Sequence, residues 1–193
     1  MSCIKKIKID DTIYNANVDF RVAIKCNEIA TDESIGNFER MLGIICTMFG
    51  KDALNNQNHY DKLINWALKY LSCGKENFND DEEKDMDYVE DMEYIEASFM
   101  SDYNIDLTTD EMEWQKFYKL LNGLSNSELG NCCILNRVRN LRNYDVSGIK
   151  DNKERQKVIK MKQQVALKRN KKENHLSKEQ EKSMEELNKI LGI

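Results

Sequence analysis

The chain has 193 residues, a net charge of −5, 40% apolar and 33% charged residues, and no proline. That length suits one domain with an appendage and can bury about 70% of the unfolded surface, so neither a disulfide nor a metal staple is needed. No run of about 18 apolar residues occurs, which excludes a spanning helix, and the N-terminus lacks the apolar stretch of a secretory signal. Six cysteines (Cys3, Cys26, Cys46, Cys73, Cys132 and Cys133) form no C-x-x-C pair, and they read as small buried hydrophobes.

In chain order, Ile4–Ile9 alternates isoleucine with lysine, as a half-buried strand does. Asp10–Asp11 offers a tight turn and Thr12–Ala16 a returning strand. A lone hairpin is marginal, so residues 1–18 are expected to pack on helices. Asp19 is placed to cap a helix over Phe20–Ala30 showing Val22, Cys26 and Ile29. Thr31 or Asp32 is placed to cap a second helix, whose apolar positions Ile35, Phe38, Leu42, Ile45 and Phe49 step by 3-4-3-4. Gly50 ends it. A third helix is predicted over Asn58–Cys73, with Tyr60, Leu63, Ile64, Ala67, Leu68 and Leu71 inward and Gly74 as its stop.

From Glu76 to Glu96 eleven residues are acidic and only Lys84 is basic. Residues 75–86 have no apolar period and read as a solvated linker. The run lacks the glycine and terminal glutamate of an EF-hand loop, so no metal is assigned to it. Asp87–Leu124 then reads as an aromatic helical hairpin. Tyr88, Met92, Ile95, Phe99 and Tyr103 line its first helix, Asn104–Leu107 turns the chain, and Thr108 or Thr109 is placed to cap the second, with Thr108-x-x-Glu111 as a capping box. Trp114, Phe117, Tyr118, Leu121 and Leu124 form the second stripe. Aromatics at this spacing read as core; the alternative is that Trp114, Phe117 and Tyr118 are partly exposed anchors for a partner.

A sixth helix is predicted over Ser127–Leu141, burying Leu129, Cys133, Leu135 and Val138, with Arg137, Arg139 and Arg142 near its C-terminus. Beyond Asp151 the pattern is helical but thin, with Val158, Met161 and Val165 in one stripe. Ser177-x-x-Gln180 opens a last helix carrying Met184, Leu187 and Leu191. Between Arg137 and Lys172 thirteen residues are basic and three acidic. The fold expected is mainly α: about six helices over 19–150, the N-terminal hairpin, and a basic helical extension over 151–193.

No phosphate loop, dinucleotide fingerprint, zinc-protease helix or serine nucleophile elbow is present. His59 and His175 lie in separate polar segments and read as solvated, and no apolar pocket surrounds the paired carboxylates to split their pKa values. No catalytic residue, cofactor or metal is therefore assigned, and the chain is not expected to be an enzyme. The basic tail invites phosphate contacts but lacks interleaved aromatics for base stacking, so nucleic acid is kept only as the rival partner of a regulatory protein.

Several motifs resemble a known family. They are Asp19-Phe20-Arg21, the run Trp66 to Lys75, Asp91 to Phe99 (DMEYIEASF), Tyr103 to Leu107, Trp114-Gln115-Lys116-Phe117 and Leu120 to Leu124. Together, over roughly residues 10–165, the chain resembles the "gene product fifteen" family of siphovirus-type bacteriophages that infect low-GC Gram-positive bacteria. Genes of that family typically precede the tape measure gene. The resemblance therefore implies a tail assembly chaperone in the host bacterial cytoplasm, whose partner is the phage tape measure protein and which acts without a membrane or cofactor. Opposite charge blocks could pair head-to-tail between copies, compatible with a homo-oligomer. The residues set apart for partner contact are Trp114, Phe117, Tyr118 and Tyr94 in the hairpin and Arg137, Arg139, Arg142, Lys160 and Lys162 in the basic region.

Overall fold

A computed structural model describes residues 3–74, 85–126 and 132–168. The described elements are the strands β1 (Ile4–Ile9) and β2 (Thr12–Asn17) and the helices α1 (Phe20–Thr31), α2 (Asn37–Phe49), α3 (Tyr60–Leu71), α4 (Met92–Tyr103), α5 (Trp114–Asn122), α6 (Ile134–Asn143) and α7 (Asn152–Val165). The fold is mainly α with an N-terminal β-hairpin, as the periodicities predict. It divides into two compact units, Met1–Arg137 and Val138–Ile193. The division falls inside α6, ahead of the change at residue 150 read from composition. The acidic stretch 75–84, Leu129, His175 and the capping box at Ser177 lie outside the described residues.

β1 and β2 pair antiparallel from Ile4↔Asn17 to Ile9↔Thr12. Asp10 opens the two-residue turn with φ 52°, a conformation that Asp tolerates because its short polar side chain can hydrogen-bond locally. Ile9, Tyr14 and Ala16 face the core. Two short 3₁₀ turns, Lys51–Asn55 and Gln57–His59, bring His59 under the hairpin. There its Nδ1 lies 2.7 Å from the Tyr14 hydroxyl and its Nε2 3.3 Å from Asp10. His59 is only 7% exposed, so the solvated histidine expected from sequence is a buried strut. A hydrogen bond from Lys62 is the main reason the Asp10 carboxyl sits below its usual range.

Asp19 caps α1 through the Arg21 N–H at 2.9 Å, as its position before the apolar run predicts. The buried face is Phe20, Ala23, Ile24 and Cys26, while Val22 and Ile29 are only partly covered. Neither Thr31 nor Asp32 caps α2. Asp32 accepts from the N–H and hydroxyl of Ser34 in a local turn, and α2 starts five residues later behind Gly36 without a side-chain cap. Its stripe is split: Ile45 and Phe49 are buried, Ile35 and Leu42 half-buried, and Phe38 is 60% exposed. Phe38 stands in the first turn of α2, next to the α1–α2 connection and beyond the covered half of the helix. In α3, Leu63, Ala67, Tyr70 and Leu71 are buried, and Leu68, expected inward, is exposed.

The aromatic hairpin differs from expectation at its connection. α4 ends on Asn104 in the left-handed region (φ 53°), with the Ile105 N–H reaching back to the Phe99 carbonyl, a Schellman-type stop. α5 then begins at Trp114, not at Thr108 or Thr109. The Asp106 carboxylate takes the N–H and hydroxyl of Thr108, so this capping chemistry closes a local turn. The N–H of Trp114 is satisfied instead by the Val18 carbonyl at 2.9 Å, and the Phe20 N–H by Met112 at 2.9 Å. This single antiparallel rung, Asp19 opposite Glu113, joins the start of α1 to the start of α5.

In the second unit, Asp151 caps α7 by accepting the Glu154 N–H at 2.8 Å. α7 buries no residue. Arg142 Nε donates to the Val165 carbonyl and Lys162 Nζ to the Tyr144 carbonyl, both at 2.6 Å. Among the described residues no helix is long and apolar enough to cross a membrane.

Candidate functional site

The centre of the first unit is a stack of rings. Phe117 lies 4.6 Å from Phe20 at 7° and 5.2 Å from Phe99 at 14°, centroid to centroid. Trp114 packs against Phe117 at 5.7 Å and against the edge of Tyr88. Its Nε1 donates to the Leu71 carbonyl at 2.9 Å, satisfying a C-terminal carbonyl of α3 that no helical N–H reaches. Around the stack, Asp19 holds Arg21 Nη1 with both carboxylate oxygens. Arg21 Nη2 donates to the carbonyls of Leu107 and Asp110, and its guanidinium lies over the Phe20 ring. The three residues Asp19-Phe20-Arg21 thus weld α1 to the loop before α5.

Beside this core, α4, the end of α5 and the start of α6 enclose a cleft of about 780 Å³. Ala97, Ser101, Asp102 and Tyr103 form one wall, Gly123 and Ser125 the floor, and Cys132, Cys133, Ile134 and Arg137 the other wall. Buried polar groups hold the walls together. Ser98, fully buried, donates to the Tyr94 carbonyl and accepts the Leu135 N–H. Asn136 donates to the carbonyls of Leu124 and Ser125, and the Cys133 N–H bonds Ser125 as well. A Cβ at Gly123 would stand 3.0 Å from the Tyr103 hydroxyl, crowding the bond that this hydroxyl donates to the Leu120 carbonyl.

Asp102 closes one end of the cleft by accepting the Ser125 N–H at 2.8 Å and the Ser101 hydroxyl at 2.9 Å. Partial burial opposes its ionisation, but these bonds and one from the Ser125 hydroxyl more than offset that, and its pKa lies below the usual carboxylate value. It is a clamp on Ser125 with little proton affinity. A folded pKa lowered in this way stabilises the fold above the unfolded value of about 3.9, and the contribution is lost as pH falls through the folded value. Asp102→Asn is therefore expected to cost up to about 1 kcal/mol near neutral pH, the group being exposed and screened. The gap from wild type should close in acid, as urea titrations across that range would show.

The candidate residues separate into distinct places. Trp114 is 2% exposed and Phe117 fully buried, so both are core and in this fold offer no surface to a partner. Tyr118 and Tyr94 are half-buried, the former 5.9 Å from the Trp114 rings. Arg137 stands exposed on the cleft wall. Arg139, Arg142, Lys160 and Lys162 belong to the second unit, where Arg142 and Lys162 join α6, α7 and the connecting loop, and Lys160 is exposed. The sequence reading missed Phe38, which it assigned to the core; the missing information is how far along the stripe neighbouring elements reach.

Three of the thiols are muted as nucleophiles. Burial pushes Cys26 up to about 12 and also raises Cys3 and Cys132, so little thiolate exists at neutral pH.

The family model described as Bacteriophage Gp15 protein matches residues 2–167. No curated protein and no solved structure matches the chain. The matched span takes in both strands, the ring stack, the cleft and all seven described helices, and on that basis the chain belongs to the bacteriophage Gp15 protein family.

Proposed function

We propose that this phage protein is a non-catalytic tail assembly chaperone that holds the tape measure protein in the host cytoplasm while the tail is built. Family membership supports a role in the phage cycle. The finer reading rests on the stripe of α2 that runs out of the core, from buried Phe49 and Ile45 through Leu42 to exposed Phe38, with half-buried Ile35 just ahead of the helix. An apolar stripe of this spacing is the surface by which an amphipathic helix is received. A tape measure is a long helix whose apolar face aggregates if left bare. Contacts that are modest per copy permit displacement by tail-tube subunits, and many copies along one helix restore affinity by avidity.

Co-expression with the tape measure encoded by the same phage tests this. The tape measure should be recovered in the soluble fraction only when the protein is present. Phe38→Ser should lower that recovery while changing fold stability by no more than about 0.5 kcal/mol, as expected of an exposed position. A tape measure equally soluble alone would overturn the proposal.

A further inference from the structure

Two exposed helix faces carry opposite charge. On α4, Glu93, Glu96, Ala97 and Met100 fall within one 100°-wide face at 3.6 residues per turn; Glu93 and Ala97 are exposed, Glu96 half-buried and Met100 45% exposed. On α7, Lys153, Lys157 and Lys160 share one exposed face, with Met161 beside them at 42% exposure. Neither the two glutamates nor the three lysines form an ion pair with another described residue. The charged pair is three residues apart on each helix, a rise of about 4.5 Å. In each a methionine follows one charge by four residues: Glu96 and Met100, Lys157 and Met161.

We infer that the α7 face of one copy docks on the α4 face of a second copy, lysines against glutamates with the methionines at the edge of the contact. A two-fold arrangement of α7 on α7 would oppose lysine to lysine, so the contact joins two different faces. Copies then pair reciprocally, each α7 on the other's α4, or continue from copy to copy into a ring or an open filament. The contact is independent of any tape measure and forms in the protein alone.

Sedimentation of the full-length protein over a range of concentrations tests this. The average mass should rise with concentration at low salt and fall to that of the monomer at about 1 M salt, where the screening length is about 3 Å. The double reversals Lys157→Glu/Lys160→Glu and Glu93→Lys/Glu96→Lys should each weaken association by about tenfold or more, since like charges then face each other. Mixed one to one, the two variants should assemble again, because each supplies the face the other lacks; that recovery also shows both are folded. A wild-type protein monomeric at every concentration, association that ignores salt, or variants that stay apart on mixing would overturn the inference. So would a monomer whose α7 lysines instead bind a short random-sequence DNA duplex, which would assign the face to phosphates.

Discussion

Trp114→Ala is expected to cost about 3–5 kcal/mol, a large part of the roughly 5–15 kcal/mol that holds a domain folded. The indole is 2% exposed and touches Phe117, Tyr88 and Tyr118. Its removal leaves a cavity in the ring stack and also strips the Leu71 carbonyl of its donor. Trp114→Phe separates the two effects: most of the ring volume stays while the hydrogen bond goes, and about 1–2 kcal/mol should be lost. Urea unfolding followed by far-ultraviolet circular dichroism is the suitable readout, because the substitution removes one of only two tryptophans. A loss below about 1 kcal/mol would take Trp114 out of the core and return it to the role of a partner anchor.

How much of this was readable from sequence differs by element. Asp19 caps the helix it precedes, as its place ahead of an apolar period predicts, while the same carboxylate also holds the Arg21 guanidinium. Asp32 and Asp106 look the same in sequence but serve turns instead, since serine or threonine two residues on offers an equally good local partner. The start of α5 was therefore displaced to Trp114. What anchors it is a backbone rung to Val18 and Phe20, contributed from about ninety residues earlier, and backbone pairing leaves no mark on side-chain pattern. His59 was misread for a related reason: its burial depends on Tyr14, Asp10 and Asn56, three partners that the chain brings together only after folding.

The surfaces were less legible than the core. Aromatic spacing identified Trp114 and Phe117 as stripe residues, and the fold uses both as interior. Phe38 obeys the same spacing and is exposed. Periodicity states which side of a helix is apolar but not how far along its length a neighbour extends. The cleft was invisible for a different reason. Its walls come from three segments held by Ser98, Asp102 and Asn136, ordinary polar residues that only the fold brings into bonding distance of their partners. By contrast the motif Asp19-Phe20-Arg21 stood out early and proves to be a structural junction.

That junction supplies the second large effect. Phe117→Ala is expected to cost about 3–5 kcal/mol, because its ring lies between Phe20 of α1 and Phe99 of α4 and has no exposed surface. Phe117→Leu should cost less, since it retains apolar volume and loses mainly ring-on-ring contact. The informative measurement is the double-mutant cycle with Phe20→Ala. Rings 4.6 Å apart and 7° from parallel should couple by about 0.5–1.5 kcal/mol beyond the area each buries. A cycle pairing Phe117→Ala with Tyr14→Phe, which alters only the hydroxyl bonded to His59, should be additive within about 0.5 kcal/mol. Coupling to Phe20 near zero would mean that α1 and α5 are joined by the backbone rung and the polar arms: Asp19 on the backbone of Met112 and Arg21 on the carbonyls of Leu107 and Asp110. Arg21→Ala would then cost as much as losing the ring. With the stack in place it should cost less, because the Phe20–Phe117–Phe99 contact still holds the three helices together.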